Sequence, residues 1–311
     1  MSKLLRLSVS PHIHSGRSTS AIMRDVIIAL LPATIAGTII FGWRSLLVLA
    51  TCVLSCVLFE ALFNLIAKKD QTVSDLSAAL TGLLLGLNLP ANLPLWQCVF
   101  GCAFAILLVK CIFGGIGCNL VNPAITARVF MLIAFSSLTK QAFPVIVDTA
   151  STATPLAQMA DTEAAMPALS DLFLGTTGGA IGETCALALL IGFVYLLVRR
   201  VITWHIPVTF VASVFILSFF FEGFDAVRAL AAILSGGLLI AAIFMATDYV
   251  TSPATAWGKV IFGVGAGIFT VLIRYYGVYP EGVSFGILIM NILTPYIEKW
   301  TAHKVFGGTK A

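Results

Sequence analysis

Leu76-Ser77-Ala78-Ala79-Leu80-Thr81-Gly82-Leu83-Leu84-Leu85 recurs as Leu230-Ala231-Ala232-Ile233-Leu234-Ser235-Gly236-Gly237-Leu238-Leu239. Each copy runs into a polar, proline-containing break: Asn88-Leu89-Pro90 in the first, Thr247-Asp248-Tyr249-Val250-Thr251-Ser252-Pro253 in the second. Each break leads to a glycine-dotted apolar segment, carrying Phe100-Gly101 or Phe262-Gly263. Of the 311 residues, 59% are hydrophobic and only 10% charged, with a mean hydropathy of +1.03. Soluble domains carry about 25% charge, so the composition predicts a polytopic membrane protein built from spans of roughly 20 apolar residues.

The apolar segments fall at about 22–42, 45–66, 76–89, 95–113 and 120–137, then at about 181–198, 205–221, 227–247, 256–273 and 283–298. Five segments on each side of a long polar loop make the two copies enter the membrane from opposite faces. The expected fold is all-α, with about ten transmembrane helices in two inverted five-helix repeats. The first half covers 1–137, an extracytoplasmic loop 138–180, and the second half 181–311. The alternative is chance similarity between two Leu/Ala/Gly-rich stretches.

Basic residues set the orientation. One side collects Lys3, Arg6, Arg17, Arg24, Lys68, Lys69, Lys110, Arg199, Arg200, Lys259, Lys299, Lys304 and Lys310. The other holds Arg44, Lys140, Arg228 and Arg274, with Arg128 inside a segment. This bias predicts cytoplasmic N- and C-termini and an outward-facing long loop. The net charge of +4 lies at segment ends and argues against a nucleic-acid surface. The first 21 residues are polar and basic without an apolar core, so no cleavable signal peptide is expected.

The polar interruption from Ser136 to Ile181 carries Asp148, Asp161, Glu163 and Asp171 against Lys140. Loops above roughly 12–15 residues without structure of their own are usually functional or disordered. Within it stands Asp148-Thr149-Ala150-Ser151-Thr152-Ala153-Thr154-Pro155-Leu156. Its Thr, Ser and Ala are what any flexible exposed loop contains, so the run is a weak signal by itself.

Three other places hold residue types suited to chemistry. The turn Gly114-Gly115-Ile116-Gly117-Cys118-Asn119-Leu120-Val121-Asn122-Pro123 precedes the fifth segment, with Arg128 inside it. Glycines permit close approach of a flat ligand, and asparagines supply donors and acceptors for a heterocycle edge. An arginine within a span faces a partner, a cavity or an anion. Helix packing through small residues, with an asparagine cap before Pro123, explains the same residues. Asp248 and Thr251 sit at the second break, where Asp248 is a cap or a ligand. Glu60 is expected to pair with Lys68 or to lie on an ion path, and Glu281 lies in an outward turn. Seven cysteines, among them Cys52/Cys56 and Cys98/Cys102 at i, i+4, contain no Cys-x-x-Cys and read as packing residues, so no metal site is expected; the alternative is a cluster shared with another subunit.

Together these motifs resemble the RnfD/NqrB family over nearly the whole chain. Ser15-Gly16-Arg17-Ser18-Thr19, Leu80 to Leu84, Gly114 to Arg128, Asp148 to Leu156 and Ala246 to Pro253 carry the resemblance in order. A length of 311 residues is more like the RnfD branch, because NqrB chains generally have a longer N-terminal region. The resemblance implies a urea-transporter-like inverted fold. It also implies covalent FMN on Thr154 by a phosphoester, with Asp148, Ser151 and Ala153 completing the flavinylation motif and a flavin transferase acting in maturation. A second, non-covalent flavin, riboflavin, is expected at Asn119 and Asn122; these two and Arg128 are candidate contacts to that flavin or to FMN, with Asp248 and Thr251 as further candidates. Thr152 stands where many relatives have Gly.

The implied function is a membrane flavoprotein subunit of an Rnf-type ferredoxin:NAD oxidoreductase, coupling electron transfer to Na⁺ or H⁺ movement. Its expected partners are other membrane subunits, an extracytoplasmic FMN-bearing subunit, and cytoplasmic subunits that react with NADH and ferredoxin. The chain has neither a ferredoxin-type cysteine cluster nor a strand-Gly-x-Gly-x-x-Gly-helix unit, so it is not a complete enzyme alone. The competing readings are a flavin-free solute channel on the same scaffold, a purely structural membrane subunit, or the NqrB subunit of a Na⁺-pumping quinone reductase.

Overall fold

The computed structural model describes residues 18–135, 138, 155–156, 168–277 and 281–302. Among them the regular structure is helical, with no strand. In chain order the helices are α1 (Thr19–Phe41), α2 (Trp43–Ile66), α3 (Ser77–Leu87), α4 (Leu95–Cys111) and α5 (Pro123–Ala134). They continue with α6 (Leu169–Leu174), α7 (Ala186–Val198), α8 (His205–Phe221), α9 (Ala226–Leu234) and α10 (Leu238–Met245). The last two are α11 (Ala256–Tyr276) and α12 (Val283–Thr301). Each of the ten apolar segments contains a helix close to its predicted bounds.

Local chemistry sets many of the ends. The Ser18, Asn122, Asp225 and Thr255 side chains accept backbone N–H bonds at the starts of α1, α5, α9 and α11. Pro123 opens α5, where its missing N–H costs nothing. The second half of α4, Phe104–Cys111, is wound as a π-helix.

By length and composition, α1, α2 and α11 are each able to cross a membrane unaided. Helices α9 and α10 reach that length together, bent by 63° at Ser235-Gly236-Gly237. Shorter apolar helices such as α3 stop partway and continue as irregular chain. Large apolar side chains face outward along α1 and α2, with Ile39 63% exposed and Leu54 68%. An apolar surface of this extent matches a chain that meets lipid.

Inside, one continuous core joins all the long helices. Helix α2 packs on α3 and α4, α11 on α8 and α12, and α5 on α3 and α12. Helix α7 lies along α1, where a Cβ on Gly192 would come within 2.3 Å of the Ala29 carbonyl oxygen. The short helix α3 is held at its C-terminal end by the segment before α7: Gly182 N–H donates to Leu87 O (2.7 Å) and Ile181 N–H to Leu89 O (3.1 Å).

The two copies of the repeated sequence do not share a conformation. Leu76 is left-handed (φ 64°) and Ser77 onward is one helix, whereas Leu230 to Leu239 is cut by the break at Gly236 and Gly237. The left-handed residues that open α3 and α10 are Leu76 and Gly237, so the conformational equivalence runs in a different register from the sequence similarity. Glycine tolerates that backbone freely; at Leu76 the strain is borne by an Asp75 carboxylate accepting from Ser77 N–H (2.8 Å) and Ser77 Oγ–H (2.5 Å).

Candidate functional site

The ends of α3, α5, α7 and α10 leave an open cleft with a cavity volume of about 100 Å³. Asn119 and Asn122, predicted as ligand contacts from the turn before α5, both line it, and Asp248 enters from the loop after α10. Most of the remaining wall is apolar, including Ile22, Val26, Leu80, Leu84, Leu196 and Phe244, with Ser77, Thr81, Lys110 and Thr247 among its polar members. The lining is of the kind found at small-molecule sites, largely apolar with a few convergent polar groups.

The asparagines do different work. Asn122 Oδ1 accepts from Ala124 N–H (3.0 Å) and Ile125 N–H (3.3 Å), capping α5, and its Nδ2 donates to Met245 O (3.2 Å). That bond ties the start of α5 to the end of α10. Asn291 of α12 extends the tie by accepting from Asn122 N–H (3.1 Å) and donating to Thr251 O (3.3 Å). Asn119 Oδ1, by contrast, is buried and without a hydrogen-bond partner among the described residues. A buried carbonyl left unpaired costs free energy, so a ligand donor at this point would be favoured.

Thr251 does not line the cleft. Its hydroxyl donates to Asp248 Oδ2 (3.2 Å), and the Val250 backbone N–H donates to Asp248 Oδ1 (3.5 Å). Thr251 therefore holds the Asp248 carboxyl in place, while burial pushes that carboxyl above its ordinary range. Arg128 does not line the cleft either. It lies six residues into α5 from Asn122, about 9 Å further along the axis, and pairs with Glu281 in a separate cavity shared with Asn88, Pro90 and Ala180. The resemblance grouped it with the asparagines, whereas the fold separates them along one helix.

The cation in the cleft lining among the described residues is already committed. Lys110 lines the cleft, and its ammonium donates to both Glu60 carboxylate oxygens (2.9 Å each) and to Ser77 Oγ (2.5 Å). The pair is only 3% exposed on each side. The expected partner Lys68 is replaced here by Lys110, because the π-wound end of α4 carries Lys110 inward against α2. Thr72 completes the cluster by donating to Glu60 Oε1 (2.7 Å).

A second polar cluster lies at the α9–α10 break. Arg274 donates to the carbonyls of Ala232 (2.7 Å), Ser235 (3.1 Å) and Glu281 (3.4 Å). Glu183 and Thr184 line a small cavity there together with Pro155, Leu156, Ser235 and Gly236. Sequence reasoning missed Glu183. The only signal was a lone acid among glycines at the head of an apolar run. Asp148, Ser151, Ala153 and Thr154 lie outside the described residues; Pro155, the next residue in the chain, is buried in this cavity wall.

The cysteines Cys52, Cys56, Cys98 and Cys102 are fully buried where α2 meets α4, and Cys102 Sγ–H donates to Cys52 O (3.4 Å). Among the described residues no three His, Cys, Asp or Glu side chains are grouped to hold a metal ion.

Comparison with known proteins then decides the lineage, since the chain matches the family described as NQR2, RnfD, RnfE over residues 6–307. The chain belongs to that family. The D subunit of the Na(+)-translocating ferredoxin:NAD(+) oxidoreductase complex of Acetobacterium woodii is 46% identical over 310 residues, covering 98% of this chain and 96% of that one. The D subunit of the proton-translocating ferredoxin:NAD(+) oxidoreductase complex of Clostridium ljungdahlii is 38% identical over 323 residues, with the same coverage. The D subunit of the ion-translocating oxidoreductase complex of Halorhodospira halophila is 35% identical over 344 residues, again covering 98% and 96%. Within the NQR2, RnfD, RnfE family the similarity is thus to D subunits, end to end.

Proposed function

We propose that this chain is the D subunit of an ion-translocating ferredoxin:NAD oxidoreductase complex in a bacterial or archaeal cytoplasmic membrane. The observation that carries the reading is 46% identity over 98% of the chain to a protein of that name. The chain works there in a complex: soluble subunits handle NADH and ferredoxin, other membrane subunits flank it, and an extracytoplasmic flavoprotein faces its long loop. The ten helical segments form two inverted halves with both termini cytoplasmic, and the loop 138–180 faces outward.

In this reading a flavin transferase joins FMN to Thr154, with Asp148, Ser151 and Ala153 forming its recognition motif. A second flavin, riboflavin, occupies the cleft at Asn119 and Asn122. Bound flavins supply one- and two-electron redox chemistry. The chain's own residues bind and orient: Asn119 offers its unpartnered Oδ1 to a ring N–H, Asn122 fixes the mouth of α5, and the apolar wall excludes water. The absence of an uncommitted cation among the described lining residues favours riboflavin over a phosphorylated flavin.

The decisive test is in-gel flavin fluorescence of denatured protein co-expressed with a flavin transferase, as wild type and Thr154→Ala. A fluorescent wild-type band absent from the mutant is the expected result. Fluorescence surviving the substitution would move the attachment to Thr152 or Thr149. No covalent flavin in either protein, with an active transferase, would leave the solute-channel reading ahead.

A further inference from the structure

Glu183 stands on the segment between α6 and α7 and is 9% exposed. Its Oε2 has no hydrogen-bond partner, and neither has the hydroxyl of Thr184, which is 4% exposed. Both line the cavity at the α9–α10 break, which has room for roughly one water molecule. The carboxylate points at the broken backbone: a Cβ on Gly237 would come within 3.0 Å of Oε2.

The charged groups facing it are Arg128 from α5, Arg274 from α11 and Glu281 from the turn before α12, while Asp171 on α6 is exposed. Arg128 is paired with Glu281, and Arg274 is held by three backbone carbonyls. Neither guanidinium hydrogen-bonds Glu183. A buried carboxylate in that position lacks a direct counter-charge, which is expensive in a low-dielectric setting. The cavity's other polar side chains, Thr177, Thr184 and Ser235, are all hydroxyls. Together with the Glu183 carboxylate these hydroxyls offer oxygen ligands of the kind a proton or a hard cation takes, with Arg128 and Arg274 beyond them.

We propose that Glu183, with the Thr184 hydroxyl, is an exchangeable binding site for a small monovalent cation, H⁺ or Na⁺, at the α9–α10 break. The proposal rests on the reading of the chain as part of an ion-translocating complex and names where in this subunit the ion dwells. Binding neutralises the carboxylate; release restores it and leaves Arg128 and Arg274 as the nearest positive charges. The site lies at a broken helix, where polar backbone and a bend give the ion both ligands and room.

The competing arrangement is a permanent water bridging Glu183 Oε2 and Arg128 Nη1, which is also buried and unpartnered. The test uses the whole complex in inverted membrane vesicles, driven by reduced ferredoxin and NAD⁺, with uptake of radiolabelled Na⁺ and internal acidification as readouts. Glu183→Gln is expected to keep normal flavin content but to lower ions moved per NADH about tenfold or more, the scale on which even indirect partners of a bound ion act. Glu183→Asp distinguishes the ions. A raised KM for Na⁺ at fixed pH identifies Na⁺, whereas a displaced pH profile at fixed Na⁺ identifies the proton. If Glu183→Gln does not assemble, Glu183→Asp decides alone: unchanged Na⁺ dependence and pH profile overturn the proposal. Full coupling in Glu183→Gln overturns it too and leaves the water bridge. A wild-type complex that moves no ion at all sinks the functional reading instead, so the two failures are told apart.

Discussion

The Lys110–Glu60 pair gives a stability prediction that the sequence alone would have placed elsewhere. Lys110→Met removes the ammonium and leaves the Glu60 carboxylate buried at 3% exposure with only Thr72 donating to it. Breaking a buried ion pair from one side costs about 3–5 kcal/mol, because the surviving charge is uncompensated. One kcal/mol lowers Tm by roughly 2–4 °C in a domain of 150–250 residues and by less in a longer chain, so a fall on the order of 5–10 °C is expected. Glu60→Gln alone strands the ammonium, though Ser77 Oγ remains as its acceptor at 2.5 Å. The double variant Lys110→Met/Glu60→Gln buries no charge, and should recover about 2–3 kcal/mol of the summed losses. The assay is a double-mutant cycle on apparent Tm in detergent, followed by tryptophan fluorescence at one scan rate, with Lys68→Met as control. Additive losses within about 0.5 kcal/mol would show that the two groups do not interact. A large effect of Lys68→Met would return Glu60 to the partner expected from sequence.

Other outcomes follow from the cleft. Asn119→Leu should lower non-covalent flavin retained on purification while leaving Tm unchanged, because Asn119 Oδ1 has no protein partner to lose. Asn122→Ala should lower both, since a lost helix cap costs about 1 kcal/mol; equal Tm losses in the two variants would contradict this division of roles. Burial raises the folded-state pKa of Asp248, so its contribution to stability is fully present below the unfolded carboxylate range and is lost as pH rises through the folded value. Asp248→Asn should therefore gain Tm relative to wild type near pH 7, with the gain shrinking as pH falls into the carboxylate range. A gain that grows on acidification would show that the carboxylate is stabilised by its Thr251 and Val250 bonds more than burial disfavours it.

Much of the architecture was legible in the sequence because hydrophobic runs and caps are local signals. The ten apolar segments, the cap at Asn122 and the breaks at Asn88-Leu89-Pro90 and Thr247 to Pro253 follow from residue type and spacing. The cleft was half legible: Asn119 and Asn122 stand close together in sequence, and the glycine turn marked the place. That Asp248 joins them depends on α10 ending against α5, a contact between residues far apart in the chain. Arg128 shows the converse: it stands near the asparagines in sequence, but the helical rise carries it toward Glu281.

What the sequence by itself determined is the helical, membrane-type composition, the positions of the helices and their polarity pattern, because each depends on a window of neighbouring residues. The tertiary structure decided the partners: Lys110 for Glu60, Glu281 for Arg128, backbone carbonyls for Arg274, and none for Glu183 Oε2 among the described residues. Charge pairing between helices depends on the packing angle and on local distortions such as the π-wound end of α4 and the 63° bend at Gly236-Gly237. No periodicity encodes these, because each reflects how two distant surfaces meet.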